Sequence, residues 1–504
     1  MADDLQDNIV EALRSQEWGV AEALSRQRLQ QDRLWAQGWL FLAESLERQE
    51  EVDSAWACYD RTWILDPRAT WASVVTARLK PNGVQWDKLP EWLSSLLAVP
   101  TVHIVGAMIA RDEERTILET VTHLQEAVDE VVVVDTGSTD RTAQIAEEAG
   151  ARVVHYEWSD DFAAARNAAA PYLDGDWVLW VDADEVLDPE DVHVPRTVAG
   201  LYQESPTPAL IRIVQVNRIG DRVDPNYDTT RFYPLNRGFE WRGRIHEQVV
   251  HAADVAPKIV RPVVRVRLNH DGYEPSIMQQ KGKLARNIAL LRKALQEDPR
   301  NVGVMGFLGR DLYVDGQLDA AIAVLIQAEK LGLVTPSYGR MPEVRHVLTE
   351  AYMRQQKWDE AEAVVNRLTH DTPEFPGGWY LAGQIHLARA QSQLNAAANS
   401  FTKAQETHKT YRGSVSYHAD IPGFLSVVGL ADVSRFQTRW DQAWTLFEQA
   451  LAVYPDHAGI RHQLDHMREQ SQKIVARVDT GQNETPLTEP EGGHHGDSVH
   501  TESQ

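Results

Sequence analysis

Cysteine is nearly absent from this 504-residue chain, where Cys58 stands alone. A single thiol excludes an intrachain disulfide, so nothing in the fold leans on an oxidising compartment, and Cys58 reads as buried helix filler. Positive charge is also short. With 50 Lys and Arg against 74 Asp and Glu, the formal net charge is -24, and nucleic acid or anionic lipid is not an expected partner, because both require basic side chains on their phosphates. No apolar run approaches the roughly 20 residues of a membrane helix, and Met1-Ala2-Asp3-Asp4 lacks a basic stretch before an apolar core. A soluble, cytoplasmic protein without a membrane span is expected. Two phosphate-binding patterns, GxGxxG and GxxxxGK[ST], are missing from the mixed region described below. Their absence argues against dinucleotide oxidoreductases and P-loop hydrolases.

What is present divides into helical, mixed and helical zones, and the length leaves room for about two to four domains. Residues 1–98 carry helical spacing, and Trp39, Leu42, Ala43, Leu46, Ala55, Tyr59 and Pro67 fall on the large, small and terminating positions of a helix-turn-helix unit resembling a tetratricopeptide repeat. Leu5, Ala12 and Ala21 suggest a weaker unit before it. In residues 276–469 the register returns at Leu348, Tyr352, Ala361, Val365, Leu368 and Pro373, and again at Leu430, Ala431, Ala443, Phe447, Ala450 and Pro455. A degenerate unit runs from Met305 through Leu308, Gly309, Leu312 and Ala321, and a further helical pair is expected between Trp379 and Gln405. Such repeats either grip a partner, form a homo-oligomer contact, or only buttress the middle domain. Residues 470–504 lose apolar residues and are expected to be a disordered acidic tail, His494 and His495 included.

Residues 99–275 alternate strands with helices: Val102 to Ile109, a helix from Glu113, Glu130 to Val134, a helix from Thr139, Arg152 to His155, a helix near Phe162, and Asp176 to Val181. That rhythm predicts a mostly parallel, doubly wound α/β sheet, whose ligands bind beyond the carboxyl ends of its strands. One of those ends is unusual: the apolar Trp177-Val178-Leu179-Trp180-Val181 runs into Asp182-Ala183-Asp184-Glu185. On an extended chain Asp182 and Asp184 share a side. They offer hard oxygen ligands for a divalent cation that leaves positions open for phosphate oxygens; the competing reading is a solvated acidic loop before the helix after Pro189. Asp135 ends the second strand, followed by Gly137 for a tight turn and by Ser138, Thr139 or Asp140 as helix cap. Beyond the triplet, separate strands are expected at Ala209 to Val216, Thr230 to Leu235 and Phe239 to Arg242.

Met108 to Glu114, Val133 to Thr142, Trp158 to Phe162, Ala165-Arg166-Asn167 and Asp182 to Glu185, together spanning about residues 101 to 290, resemble family 2 glycosyltransferases of GT-A fold. Joined to tetratricopeptide repeats, the chain is similar to repeat-bearing bacterial and phage glycosyltransferases such as the peptide S-glycosyltransferases. The resemblance implies an inverting, metal-dependent transferase that uses a nucleotide-diphosphate sugar, with a UDP-sugar expected, and a protein or peptide acceptor placed by the repeats. It implies that Asp135 holds the base, with Ala110 and Arg111 lining the same pocket. Arg166 and Asp182 would contact the donor, while Asp182, Asp184 and His270 would carry Mg²⁺ or Mn²⁺. In Arg244-Ile245-His246-Glu247-Gln248, Glu247 is the expected base, and His246 either orients it or is structural. Lys281, Lys283, Arg286 and Asn287 share one helix, either closing over the diphosphate or forming a solvated basic face. Two other readings stand beside this one: an interaction protein with an inactive transferase domain, and a transferase acting on saccharide or lipid-linked acceptors.

Overall fold

The computed structural model describes residues 2–80, 88–219, 222–253, 258–270, 282–336, 338–407, 409–410 and 418–479. The chain separates into two compact units, residues 1–336 and 337–504. The first three helices of the expected C-terminal repeat region, Lys283–Glu297, Val302–Val314 and Leu318–Gly332, therefore group with the sheet.

The first unit opens with helices Ala2–Arg14, Trp18–Gln31, Ala36–Arg48 and Val52–Leu65. Trp39, Leu42, Ala43, Leu46, Ala55 and Tyr59 all lie in one buried cluster, and Cys58 is buried within it. The small residues are required sterically: Ala at the contact lets paired helices approach. The same logic is sharper at Gly309, where a Cβ would stand 2.4 Å from Leu325 of the following helix.

The sheet contains β1 (Ile104–Ala110), β2 (Glu130–Asp135), β3 (Arg152–His155), β4 (Trp177–Trp180), β5 (Glu185–Leu187), β6 (Ile211–Ile219), β7 (Arg222–Pro234) and β10 (Val263–His270), in the order β3-β2-β1-β4-β7-β6-β10-β5. A separate hairpin pairs β8 (Phe239–Arg242) with β9 (Gln248–His251). The parallel ladders are β1–β2, β1–β4, β2–β3 and β6–β10; β7 runs antiparallel to β4 and β6, and β5 to β10. Strand order reverses between β1 and β4, so the switch point falls beside Ala110 and Val181.

Alternation along the strands fills both faces. Ile104, Met108, Val131, Val133 and Leu179 pack on one side with helices Ile117–Ala127 and Val194–Gln203. Val105, Ala107, Val132, Val134, Val178 and Trp180 pack on the other, with Ala163, Trp241 and Val249. The helices expected from Glu113 and Thr139 begin later, at Ile117 and Thr142. The intervening polar groups are bound across the two loops: Thr139 donates its backbone N–H to Asp112 at 2.7 Å, and Asp112 donates its own to the Ser138 hydroxyl. The N-cap is Arg141 rather than Ser138, Thr139 or Asp140, and Asp140 just before it accepts the Thr142 N–H at 2.9 Å.

In the second unit the repeat positions Leu348, Ala361, Val365, Leu368, Ala431, Ala443, Phe447 and Ala450 are buried as expected. The expected pair between Trp379 and Gln405 is instead one helix, Pro376–Thr407. After Gly383 that stretch holds neither Gly nor Pro and is rich in Ala, Gln and Leu, strong helix formers that give no place for a turn. Helix Ala458–Asp479 runs past Gln470, so the tail expected from there begins within a helix, and residues 480–504 lie outside the described residues. Among the described residues no helix is long and apolar enough to cross a membrane.

Candidate functional site

Arg166 is the centre of the charged cluster at the strand ends. Asp161 caps helix Phe162–Asn167 by accepting the Ala164 N–H at 2.9 Å, which fixes where the arginine emerges. Asn167 then bonds Trp241 of β8 twice, donating from Nδ2 to its carbonyl at 2.8 Å and accepting its N–H at 3.0 Å. The Arg166 guanidinium consequently lies against two indoles that meet edge to face, 5.0 Å from the ring of Trp180 and 4.6 Å from that of Trp241. Its side chain is 3% exposed. Nε donates to Glu247 at 2.8 Å and Nη2 to Asp182 at 2.8 Å, while Nη1 is buried without a partner among the described residues.

Asp182 accepts a second guanidinium. Arg231 of β7, one position beyond the Leu179–Phe232 register pair, bonds both carboxylate oxygens. Burial would raise the Asp182 carboxyl, but Arg231 and Arg166 outweigh it and hold the group well below the usual carboxylate range. Glu185 behaves oppositely: fully buried, bonded to Gln215 and to the Asp182 N–H, it is lifted by burial against the pull of Arg231.

Asp184 points to a different group. The antiparallel β5–β10 register sets Glu185 opposite His270, and the β6–β10 register sets Asn217 opposite the same histidine. Asn217 donates its amide Nδ2–H to the Asp224 carbonyl, so its oxygen faces the imidazole and His270 Nδ1 donates to it at 3.1 Å. That leaves Nε2 3.6 Å from Asp184 Oδ2, with Lys283 Nζ 3.8 Å from the same oxygen. Burial raises the Asp184 carboxyl, yet His270 and Lys283 keep it below its ordinary value. For His270, burial acts downward and Asp184, Glu185 and Asp182 overcome it, so the imidazole stays above its ordinary value.

An imidazole nitrogen and a carboxylate oxygen facing each other, with the far nitrogen bound to an amide, are a fitting pair of donors for a divalent cation. Asp182 fits less well as a third, since guanidinium N–H groups occupy both its oxygens. Among the described residues no group of three or more His, Cys, Asp and Glu side chains is arranged to hold a metal. The expected set of Asp182, Asp184 and His270 is thus divided, Asp184 with His270 and Asp182 with the arginines.

Glu247 lies at the end of the loop joining β8 to β9, where Gly243 (φ 105°) and His246 (φ 51°) take left-handed backbone conformations. His246 stacks on Phe307 at 3.9 Å between ring centroids, and its Nε2 is 3.4 Å from Arg310 Nη2. Asp135 is buried at the end of β2, accepting the Ser138 N–H at 3.2 Å with His155 Nδ1 3.3 Å away. The Ala110 carbonyl is taken by Thr136 through both its N–H and hydroxyl. Arg111 is 53% exposed, 4.0 Å from Asp112. Of the expected basic helix, Lys281 lies outside the described residues, Lys283 meets Asp184, and Arg286 lies over the Phe162 ring at 5.3 Å. Sequence reasoning missed Arg231, Trp241 and Asn217; an arginine inside the expected strand Thr230 to Leu235 was the one available signal for the first.

Residues 107–253 match the family described as Glycosyl transferase family 2. A TPR repeat-containing protein of Synechococcus elongatus is 29% identical over 310 residues, 59% of this chain and 73% of its own length. The SPbeta prophage-derived glycosyltransferase SunS of Bacillus subtilis is 23% identical over 312 residues, 60% of this chain and 71% of its own. Among solved structures, S. aureus TarS aligns with a TM-score of 0.30 at 15% identity, over 52% of this chain and 54% of that one.

Proposed function

We propose, for a chain that carries a family 2 glycosyltransferase domain over residues 107–253, that it transfers a sugar from a nucleotide-diphosphate donor, a UDP-sugar, to a protein or peptide acceptor with inversion at the anomeric carbon. The observation that carries this reading is Arg166: one buried guanidinium, packed against two indoles, joins Glu247 to Asp182 and has Nη1 unpartnered among the described residues. A buried N–H without an acceptor is costly, and a phosphate oxygen of the donor satisfies it through a charge-assisted bond.

In this reaction the acceptor's hydroxyl or thiol attacks the anomeric carbon from the face opposite the diphosphate. The proton passes to a Glu247 carboxylate oxygen, the bond from carbon to phosphate oxygen breaks, and the nucleoside diphosphate leaves with that electron pair. Arg166 fixes the Glu247 carboxylate through Nε, and Arg231 fixes Asp182, so neither group has to reorganise when charge develops. Asp135 accepts hydrogen bonds from the base, with Ala110 and Arg111 lining the same pocket. Asp184 and His270 would hold Mg²⁺ or Mn²⁺, which supplies Lewis-acid neutralisation of the leaving diphosphate. Imidazole in the donor set favours Mn²⁺ over Mg²⁺. The helical repeats in both units support a polypeptide acceptor, since stacked repeats present extended binding surfaces.

A screen of UDP-, GDP- and dTDP-sugars with MnCl₂, read as thermal shift and as donor hydrolysis, tests the donor assignment. A UDP-sugar is expected to raise the melting temperature, with hydrolysis lost in Asp184→Asn. No response to any donor would defeat the reading. Intact masses of proteins co-expressed with wild type and with Glu247→Gln test the acceptor; a hexose-sized increment confined to wild type is expected.

A further inference from the structure

A second site lies away from the strand ends, in a cavity of about 290 Å³ lined by Ala57, Arg61, Leu89, Leu97, His193 and Thr197. It is formed where helices Val52–Leu65 and Glu91–Leu97 meet the start of helix Val194–Gln203, all within the first unit. Arg61 is only 6% exposed. Its Nη2 donates to the Leu97 carbonyl at 2.8 Å and its guanidinium lies 5.2 Å from the Trp39 ring, yet among the described residues Nη1 is buried with no acceptor.

The surrounding charges sharpen this. Arg33 bonds the adjacent carbonyl of Ala98 and opposes the charge on Arg61. Neither Arg33 nor Arg61 has a carboxylate at ion-pair distance among the described residues. Asp60 also lines the cavity, but its oxygens are committed, Oδ1 to Arg265 at 2.8 Å and Oδ2 to His193 Nε2 at 3.1 Å. Burial pushes Arg61 down to about 10 although Asp60 acts the other way, which marks a cation short of compensation. The other walls are largely aliphatic.

We propose that this cavity binds a small organic carboxylate, its anionic end on Arg61 and its carbon body against Ala57, Leu89 and Leu97. A carboxylate matches a planar guanidinium edge-on, and a short apolar body matches the remaining walls and volume.

Sodium acetate, butyrate, hexanoate, benzoate and phosphate, each compared with chloride at equal ionic strength, test this on the full chain by thermal shift and calorimetry. Butyrate, hexanoate or benzoate is expected to raise the melting temperature by several degrees, saturably. Affinity should fall at least tenfold in Arg61→Met and in Ser94→Phe, the latter putting a ring among the lining residues from an exposed position of helix Glu91–Leu97 while keeping Arg61. If Arg61→Met does not fold, Ser94→Phe decides. Responses no larger than chloride's, responses unchanged in a folded variant, or a response to phosphate alone would each overturn the carboxylate site.

Discussion

Arg231 grips Asp182 with both terminal nitrogens, Nη1 on Oδ1 at 2.7 Å and Nη2 on Oδ2. The two residues are 49 positions apart and meet because β7 pairs antiparallel with β4. A planar fork on a carboxylate fixes orientation as well as charge, so the first acid of the Asp182-Ala183-Asp184 triplet is held still before any ligand arrives.

Removing that fork should cost more than a surface ion pair. Arg231→Met is expected to lower stability by about 3 kcal/mol, the low end for a broken buried pair, because Asp182 is 32% exposed and keeps Arg166. Urea denaturation measures it; a loss below about 1 kcal/mol would show the clamp to be dispensable for folding.

Glu247→Gln preserves shape and removes the proton acceptor. Transfer is expected to fall about 10²- to 10⁴-fold, while the donor-induced thermal shift stays within about a degree of wild type. Equal loss of donor binding would instead assign Glu247 to the donor pocket through Arg166.

Acid sensitivity should trace in part to Asp60. Burial raises its carboxyl, but His193 and Arg265 together bring it down to about 2. A depressed carboxylate contributes stability that is complete above its unfolded pKa, about 3.9, and is lost as pH falls from about 4 toward 2. The contribution is about 2.5 kcal/mol by linkage. Stability curves of wild type and Asp60→Asn should therefore converge on acidification through that window; parallel curves would refute the assignment.

Gly309 is set by contact rather than by backbone freedom, since its missing Cβ would overlap Leu325. Gly309→Val should destabilise by about 1–3 kcal/mol through overpacking, whereas Gly303→Ala, with only a side-chain oxygen at 3.4 Å, should be neutral or stabilising. Thermal melts separate the two.

Much of the chain was legible from periodicity. The repeat helices followed from large and small residues recurring at helical spacing, and the parallel half of the sheet followed from apolar runs alternating with helices. These signals are local, because burial of a stripe or a face is written into neighbouring residues. Boundaries slipped where polar side chains bonded across loops, as at Asp112 with Ser138 and Thr139, and the run after Trp379 stayed one helix because no residue interrupts it.

The sequence by itself singled out the candidate groups: the acids of 182–185, Asp135 and His270 stood at the ends of expected strands, while Arg166 and Glu247 were named through the family resemblance. Only the tertiary structure decided their pairing. Strand register, a property of distant segments, set His270 beside Asp184 and carried Arg231 to Asp182, and the Asn167–Trp241 hydrogen bonds hold Trp241 against Arg166, whose guanidinium reaches both Asp182 and Glu247. Charges interact through space within a few ångströms, and chain order does not record that distance.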